Sequence, residues 1–279
     1  MRIKILSDST CDLPQTLLEK YDISLAPLTV VKGDDQFKDG VTITPADIFA
    51  HVAAGGDLCS TAAVSIGEYA DLFETYAGDY DGIIHINLGS GFSACHQNAC
   101  LAAEDFPNVR CIDSRNLTTG QGFLVLEACR LAKELDDLDA MAEALRAYTE
   151  KVESSFLVEK LDYLVKGGRC SSAAALGANL LNLKPCIELK DGKMAVGKKY
   201  RGNFAKCLAS YVRERLDGRE DVDKTAVFIT WTEVSGEALS LVREAVHNYG
   251  FDNVYESVAG STISCHCGPG TLGILFVRK

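Results

Sequence analysis

The chain has 279 residues, of which 47% are hydrophobic and 24% are charged, an ordinary balance for a globular protein. Its net charge of −11 argues against general nucleic-acid binding. No run approaches the roughly 20 apolar residues of a membrane span, so stable membrane insertion is not expected. The sequence predicts a cytoplasmic protein, because the N-terminus does not resemble a signal peptide and the 11 cysteines, an odd number, follow no disulfide pattern.

The first half of the chain alternates short apolar runs with helical patterns. This alternation predicts an α/β fold with a mainly parallel sheet and helices on both faces. Two of the helix starts carry capping signals, at Thr44-Pro45 and Ser65. The predicted strands are 3–6, 25–31, 82–87 and 109–112, and the predicted helices are 14–21, 45–53, 69–76, 93–103, 122–135 and 139–152.

After residue 153 the pattern changes, which predicts two domains, 1–153 and 154–279, the second an α/β domain with a mixed sheet. Asp191-Gly192 between two apolar runs indicates a β-hairpin, and Asn203 is placed to cap a helix. The predicted strands are 156–159, 187–189, 194–199, 226–230, 254–258 and 274–277, and the predicted helices are 171–183, 204–216 and 236–249.

A glycine-rich turn follows the strand at 82–87 and leads into a helix that carries Ser93 near its start. Backbone amides and hydroxyls collect there, and a helix N-terminus favours an anion. The alternative is a tight turn in which Ser93 only caps the helix. Thr61 and Ser65 form a second cluster of hydroxyl side chains, which alone indicates no more than a helix N-cap. His266 is predicted to lie in a turn between late strands, where a structural role competes with a functional one.

Three motifs near the C-terminus and around Ser93 are incomplete. The segment Gly268–Gly273 fits a dinucleotide fingerprint but has too little chain after it. Cys265-His266-Cys267 has no second Cys/His pair at zinc-finger spacing, so neither a metal nor a cofactor is predicted. Ser93, Asp113 and His266 occur in the chain order of an α/β-hydrolase triad, although the second glycine of the nucleophile elbow is missing. A serine hydrolase acting on a lipid or ester is therefore the alternative function.

Positive charge is concentrated in residues 160–206. Ten Lys or Arg and three acidic residues give this segment +7, which leaves −18 for the rest of the chain. Such a segment is either a solvated face or a docking surface for an acidic or phosphate-bearing partner.

Several short motifs occur together in one order along nearly the whole chain: Asp8–Leu13, Thr61 to Ser65, Gly91-Phe92-Ser93, Asp113-Ser114-Arg115, Leu164–Arg169, Leu181–Pro185 and His266–Gly270. This ordered set resembles the DegV family of bacterial lipid-binding proteins.

The resemblance implies two α/β domains that hold a long-chain fatty acid, with no catalytic residue in the chain itself. It implies that Thr61, Ser93 and His266 bind the carboxylate, while Arg169 and Arg201 lie toward a partner. That partner is an ATP-dependent fatty acid kinase subunit, which phosphorylates the carboxylate and so supplies acyl phosphate for phospholipid synthesis. Burial of a carboxylate requires several donors, which two hydroxyls, an imidazole and helix-start amides provide.

Overall fold

A computed structural model describes residues 1–175 and 183–279. The strands within these ranges are β1 (Ile3–Asp8), β2 (Ser24–Ala26), β3 (Thr29–Lys32), β4 (Asp35–Lys38), β5 (Ser60–Ala62), β6 (Gly82–Asn87), β7 (Val109–Asp113), β8 (Val152–Val158), β9 (Leu183–Lys190), β10 (Lys193–Arg201), β11 (Val222–Trp231), β12 (Asn253–Val258) and β13 (Thr271–Arg278). The α-helices are α1 (Gln15–Lys20), α2 (Pro45–Ala53), α3 (Ile66–Ala77), α4 (Cys95–Ala103), α5 (Thr118–Leu131), α6 (Leu138–Thr149), α7 (Asp162–Gly167), α8 (Ser171–Ala174), α9 (Phe204–Leu216), α10 (Gly236–His247) and α11 (Ser261–Cys267).

The strands form the two large sheets that the sequence predicts. In the first half, β2-β1-β6-β7 make a parallel sheet. In the second half, the order β10-β9-β8-β13-β11-β12 combines antiparallel pairs with the parallel pair β11–β12. The predicted hairpin joins β9 to β10. Asp191 and Gly192 both have positive φ, as a type I′ turn requires.

A third sheet, with the antiparallel order β4-β3-β5, was not predicted. The prediction of one strand over residues 25–31 is wrong, because the chain leaves the parallel sheet after β2 and enters this small sheet at β3. Pro27 has no N–H to donate, and the N–H of Leu28 donates to Ser9 Oγ instead of to a ladder. The small sheet matters for the site because β5 carries Thr61.

Several helix limits agree with the sequence prediction and others do not. Asn203 caps α9, and Ser65 forms a complete capping box with Glu68 at the start of α3. Helix α4 begins at Cys95 rather than at residue 93. Of the predicted helix 171–183, α8 covers the start, residues 176–182 lie outside the described ranges, and residue 183 begins a strand. The predicted turn around His266 is wrong, since this residue lies in α11.

Helix α5 connects the two halves of the molecule. Eleven of its fourteen residues are buried, and it contacts both the parallel sheet and strands β8, β11 and β13. One apolar cluster accordingly contains Ile5 and Ile84 of the first sheet together with Phe228 and Leu275 of the second. The predicted domain boundary near residue 153 falls inside β8, where the chain enters the mixed sheet, and the division into domains stays a prediction.

None of the helices in the described ranges is both long enough and apolar enough to cross a membrane.

Candidate ligand-binding site

A cavity of about 240 Å³ lies between the turn after β6, strand β5 and helix α11. Four residues singled out in the sequence line it, namely Thr61, Ser93, Arg169 and His266. They come from four separate parts of the chain, so only the tertiary fold brings them together. The other lining residues are mostly apolar: Leu28, Ala63, Leu88, Phe92, Ala94, Leu117, Met194, Thr262, Ile263 and Cys267.

The turn after β6 is held tightly between two neighbouring segments. A Cβ on Gly89 would lie 2.9 Å from the backbone nitrogen of Asn116, and a Cβ on Gly91 would collide with the carbonyl oxygen of Gly192 in the β9–β10 hairpin. Glycine at both positions lets the backbones approach each other. The turn therefore carries Ser93 to the cavity in a fixed position.

A buried carboxylate at the end of β1 anchors the start of this turn. Asp8 Oδ2 accepts the N–H of Leu88 at 2.7 Å, and its Oδ1 accepts Tyr69 Oη at 2.6 Å and His85 Nε2 at 3.0 Å. Burial and the nearby Asp8 charge raise the pKa of Tyr69, so Tyr69 remains a donor. Full burial of Asp8 is tolerated because several donors satisfy it.

Ser93 lies just before α4 but does not occupy the capping position, which belongs to Ala94. Its Oγ accepts the N–H of Cys95 at 3.3 Å and lies 3.2 Å from Cys95 Sγ. These are local contacts, and the hydroxyl also lines the cavity. Ser93 is therefore placed to contact a ligand as well as the helix start.

Thr61 and His266 are joined by a hydrogen bond of 2.8 Å between Oγ1 and Nε2. Burial, and secondarily the positive charge of Arg169, lower the pKa of His266 to about 4, so the imidazole is neutral near pH 7. A Cβ on Gly167 would lie 2.6 Å from His266 Nδ1. The glycine thus makes room for the ring.

Helix α11 is fixed at its N-terminus by two aspartates from the first half of the chain. Asp12 Oδ1 accepts the N–H of Gly260 at 3.0 Å, and Asp39 Oδ1 accepts that of Ser261 at 2.8 Å. On the helix face that lines the cavity, Thr262 and His266 are one turn apart. Thr262 Oγ1 and His266 Nδ1 are buried without a hydrogen-bond partner among the described residues. Both atoms are therefore available for a hydrogen bond with a ligand.

Arg169 supplies positive charge at the edge of the cavity. Gly168 ends α7 with a φ of 68°, and the exposed Arg169 side chain then donates from Nη1 to the carbonyl of Gly167 at 2.8 Å. Arg201 does not line the cavity. It ends β10, seven residues beyond Met194 and hence roughly 20 Å away along the strand.

Behind the polar cavity lies a smaller apolar one of about 20 Å³. The two share Leu117, Ile263 and Cys267, and the inner one extends between α5, α11 and the mixed sheet. Its volume is about that of a single water-sized sphere, so an apolar chain enters only if side chains move. The two cavities adjoin at these three residues, and the imidazole of His266 and the guanidinium of Arg169 lie in the outer one.

The profile described as "Uncharacterised protein, DegV family" matches residues 2–279. The chain belongs to the DegV family. A DegV domain-containing protein of Clostridium acetobutylicum is 34% identical over 100% of this chain and 99% of its own length. Protein DegV of Bacillus subtilis is 29% identical over 100% of both chains.

Solved structures of other DegV proteins have the same fold over the full length of both chains. A DegV family protein from Thermus thermophilus, described by its fatty acid binding, has a TM-score of 0.89 and 29% identity. DegV from Bacillus subtilis, a fatty acid binding protein, has a TM-score of 0.84 and 26% identity. A DegV lipid binding protein from Thermotoga maritima has a TM-score of 0.87 and 26% identity. These similarities confirm the predicted α/β class with one parallel and one mixed sheet.

The alternative triad is not assembled in this DegV family member. Asp113 accepts from the N–H and Oγ of Ser90 and from the N–H of Arg115, whereas His266 bonds to Thr61. Within the described ranges no hydrogen bond joins Ser93, His266 and Asp113, so nothing orients the imidazole as a base toward the serine. The hydrolase hypothesis is not supported.

Sequence reasoning missed Thr262 as a site residue. Its spacing of four from His266 places both on one helix face, but this signal is visible only if residues 261–267 are recognised as a helix. The described part of the DegV fold contains no group of three or more His, Cys, Asp or Glu side chains that could hold a metal ion.

Proposed function

We propose that this DegV family member binds a long-chain fatty acid of roughly C14–C18, with its carboxylate in the polar cavity and its acyl chain in the apolar one. The observation that carries the proposal is that two adjoining cavities share the wall residues Leu117 and Ile263, and that Thr61, Ser93 and Arg169 line the outer one. The fatty acids bound by other DegV proteins support the same ligand class.

The polar end offers donors of the kind a carboxylate needs. With Nε2 protonated, His266 donates to Thr61 Oγ1, which leaves the Thr61 hydroxyl proton for the ligand. Ser93 and Thr262 offer two further hydroxyls, and Arg169 offers a guanidinium. Each hydrogen bond to a charged group contributes about 1.5–3 kcal/mol, which offsets the desolvation of the carboxylate.

The apolar end supplies most of the affinity. Burial of one CH₂ contributes about 0.8 kcal/mol, so 14 methylenes contribute on the order of 11 kcal/mol before the side chains around the inner cavity are displaced. The narrowness of this cavity makes that displacement part of binding. Slow exchange of the bound lipid follows, and it favours retention through purification.

The carboxylate would be presented to a separate kinase, which phosphorylates it for phospholipid synthesis. Arg169 is exposed beside the polar cavity, where it would face both the ligand and an approaching phosphate. Arg201 and the exposed Lys193 and Lys199 extend the positive surface along β10. This wider surface would steer an acidic partner, mainly by raising the association rate.

The test of lipid binding is mass spectrometry of the organic extract of protein purified from bacterial cells. The expected result is about one fatty acid of C14–C18 per chain. A matched control is the variant Ile263→Arg, which places a charge in the shared wall of the two cavities and is expected to lose the lipid. Wild-type protein that retains no lipid, or only a water-soluble metabolite, would contradict the proposal.

A further inference from the structure

The distal half of the β9–β10 hairpin, residues 189–195, is attached to the mixed sheet at one end only. Strand β10 lies at the edge of this sheet, and β9 pairs with β8 only from Cys186 to Glu188. Beyond Glu188, among the described residues, the two strands of the hairpin pair only with each other, as Leu189 does with Met194. An isolated two-stranded hairpin is marginally stable in water, so this distal half depends on its other contacts.

A β-bulge lies at the base of the distal half. The register of β10 against β9 shifts between Val196 and Lys199, and a bulge bends the strand that contains it. Gly197 lies inside the bulge, where a Cβ would collide with the carboxylate of Glu188. The N–H of Val196 donates to Ser172 Oγ at 3.1 Å. These contacts hold the hairpin at its base, and the bulge is the point at which it can bend.

The distal half presents an apolar face to the two cavities. Met194 lines the outer cavity and Leu189 lines the inner one, and both pack against the apolar cluster that contains Leu117. Their chain neighbours Lys190 and Lys193, which point to the opposite face, are exposed. Displacement of the distal half would therefore remove one wall from each cavity.

The tip of the hairpin rests on the first half of the chain. A Cβ on Gly91 would collide with the carbonyl oxygen of Gly192, and a Cβ on Gly192 would lie 3.4 Å from Arg115 Cβ. Arg115 Nη2 lies 3.9 Å from Asp191 Oδ1, and the same guanidinium forms an ion pair with Glu150. Exposed ion pairs contribute little, so the tip is held closed by a small number of contacts, most of which involve Arg115.

The inner cavity, at about 20 Å³, admits an acyl chain only if part of its wall moves. Most of that wall comes from segments that are enclosed by others. Helix α5 has eleven buried residues, α11 has six of its seven residues buried, and β8, β13 and β11 lie inside the mixed sheet. Leu189, by contrast, pairs with β10 and has no partner in β8 among the described residues. The hairpin is therefore the part of the wall that opens most readily.

We propose that residues 189–195 form a flap that opens to admit and release the fatty acid, and that Arg115 holds this flap closed. The proposal rests on the fatty-acid binding proposed above. Opening separates Gly192 from Gly91 and bends the hairpin at its bulge. The lipid passes through the open state in both directions, and the contacts of Arg115 are present in the closed state with or without lipid. Their loss therefore raises the rates of association and dissociation by the same factor and leaves the affinity unchanged.

The first test measures the release of radiolabelled palmitic acid from the loaded protein to albumin-coated beads. Arg115→Ala should release the lipid about tenfold faster than wild type, with a dissociation constant by calorimetry within about twofold of the wild-type value. Arg130→Ala is the matched control. Arg130 is another surface arginine that pairs with two carboxylates, those of Glu127 and Glu134, and it lines neither lipid cavity. This control should release palmitic acid at the wild-type rate.

The second test is amide hydrogen exchange of the lipid-free protein, which requires no ligand. The amides of residues 189–195 should exchange about tenfold faster than those of residues 186–188, which pair with β8. Arg115→Ala should accelerate exchange in the first group and leave the second unchanged.

Equal protection of the two groups of amides would overturn the proposal. So would release from Arg115→Ala at the wild-type rate, or faster release matched by an equal loss of affinity, which would indicate a lost ligand contact. Wild-type protein that binds no palmitic acid would contradict the proposed function instead, and the amide comparison then decides whether the hairpin opens.

Discussion

Removal of the Ser93 hydroxyl should weaken fatty-acid binding without unfolding the protein. In Ser93→Ala one hydrogen bond to the carboxylate is lost, which costs about 1.5–3 kcal/mol and raises the dissociation constant about 10- to 150-fold. The fold should lose only about 1 kcal/mol, because the hydroxyl makes local contacts to Cys95 alone. Ser90→Ala is the matched control. Ser90 lies in the same turn, but its hydroxyl bonds to Asp113 and does not line the cavity.

Both variants can be stripped of lipid and titrated with palmitic acid by calorimetry, with thermal melting recorded in parallel. The expected result is weaker binding in Ser93→Ala and near wild-type binding in Ser90→Ala, with similar melting temperatures. Wild-type affinity in both variants would refute the assignment of Ser93 to the ligand. An equal loss in both would assign the effect to the shape of the turn.

Three further predictions concern the rest of the site. His266→Gln should reduce the loss of stability between pH 7 and pH 4.5 by roughly 2 kcal/mol in denaturant unfolding. The folded-state pKa of His266, about 4, lies below the unfolded value near 6.5, so its contribution to stability falls as the pH drops between them. Arg201→Glu should slow phosphorylation by a partner kinase at low salt and leave palmitate affinity unchanged, whereas Arg169→Glu should impair both. If both variants are phosphorylated at the wild-type rate across a salt series, the basic segment 160–206 is only solvated surface. Gly91→Ala should lower the melting temperature by several degrees through its collision with Gly192, and an unchanged value would show that the hairpin adjusts freely.

The parts of the fold that the sequence predicted well have strong local signals. Strand β6 and helix α9 have the predicted limits, since the first is a continuous apolar run and the second begins at Asn203 with a capping side chain. The small sheet has no such signal. Strand β5 has three residues and exists because it pairs with β3, a contact that depends on where the chain turns after Pro27.

The composition of the site was accessible from the sequence only through family resemblance. Thr61, Ser93 and His266 each have an ordinary local explanation, and their convergence depends on contacts between residues as far apart as 61 and 266. Thr262 was missed because glycines near the C-terminus suggested a turn where α11 forms. The burial that lowers the His266 pKa is likewise a property of the tertiary structure.

The most direct test of the account is a crystal structure of the protein with palmitic acid bound. The carboxylate is expected within hydrogen-bond distance of Thr61 and Ser93 and near Arg169. The acyl chain should pass Leu117 and Ile263 toward the mixed sheet. A ligand with its carboxylate at the inner end, or one bound outside these two cavities, would contradict the central claim.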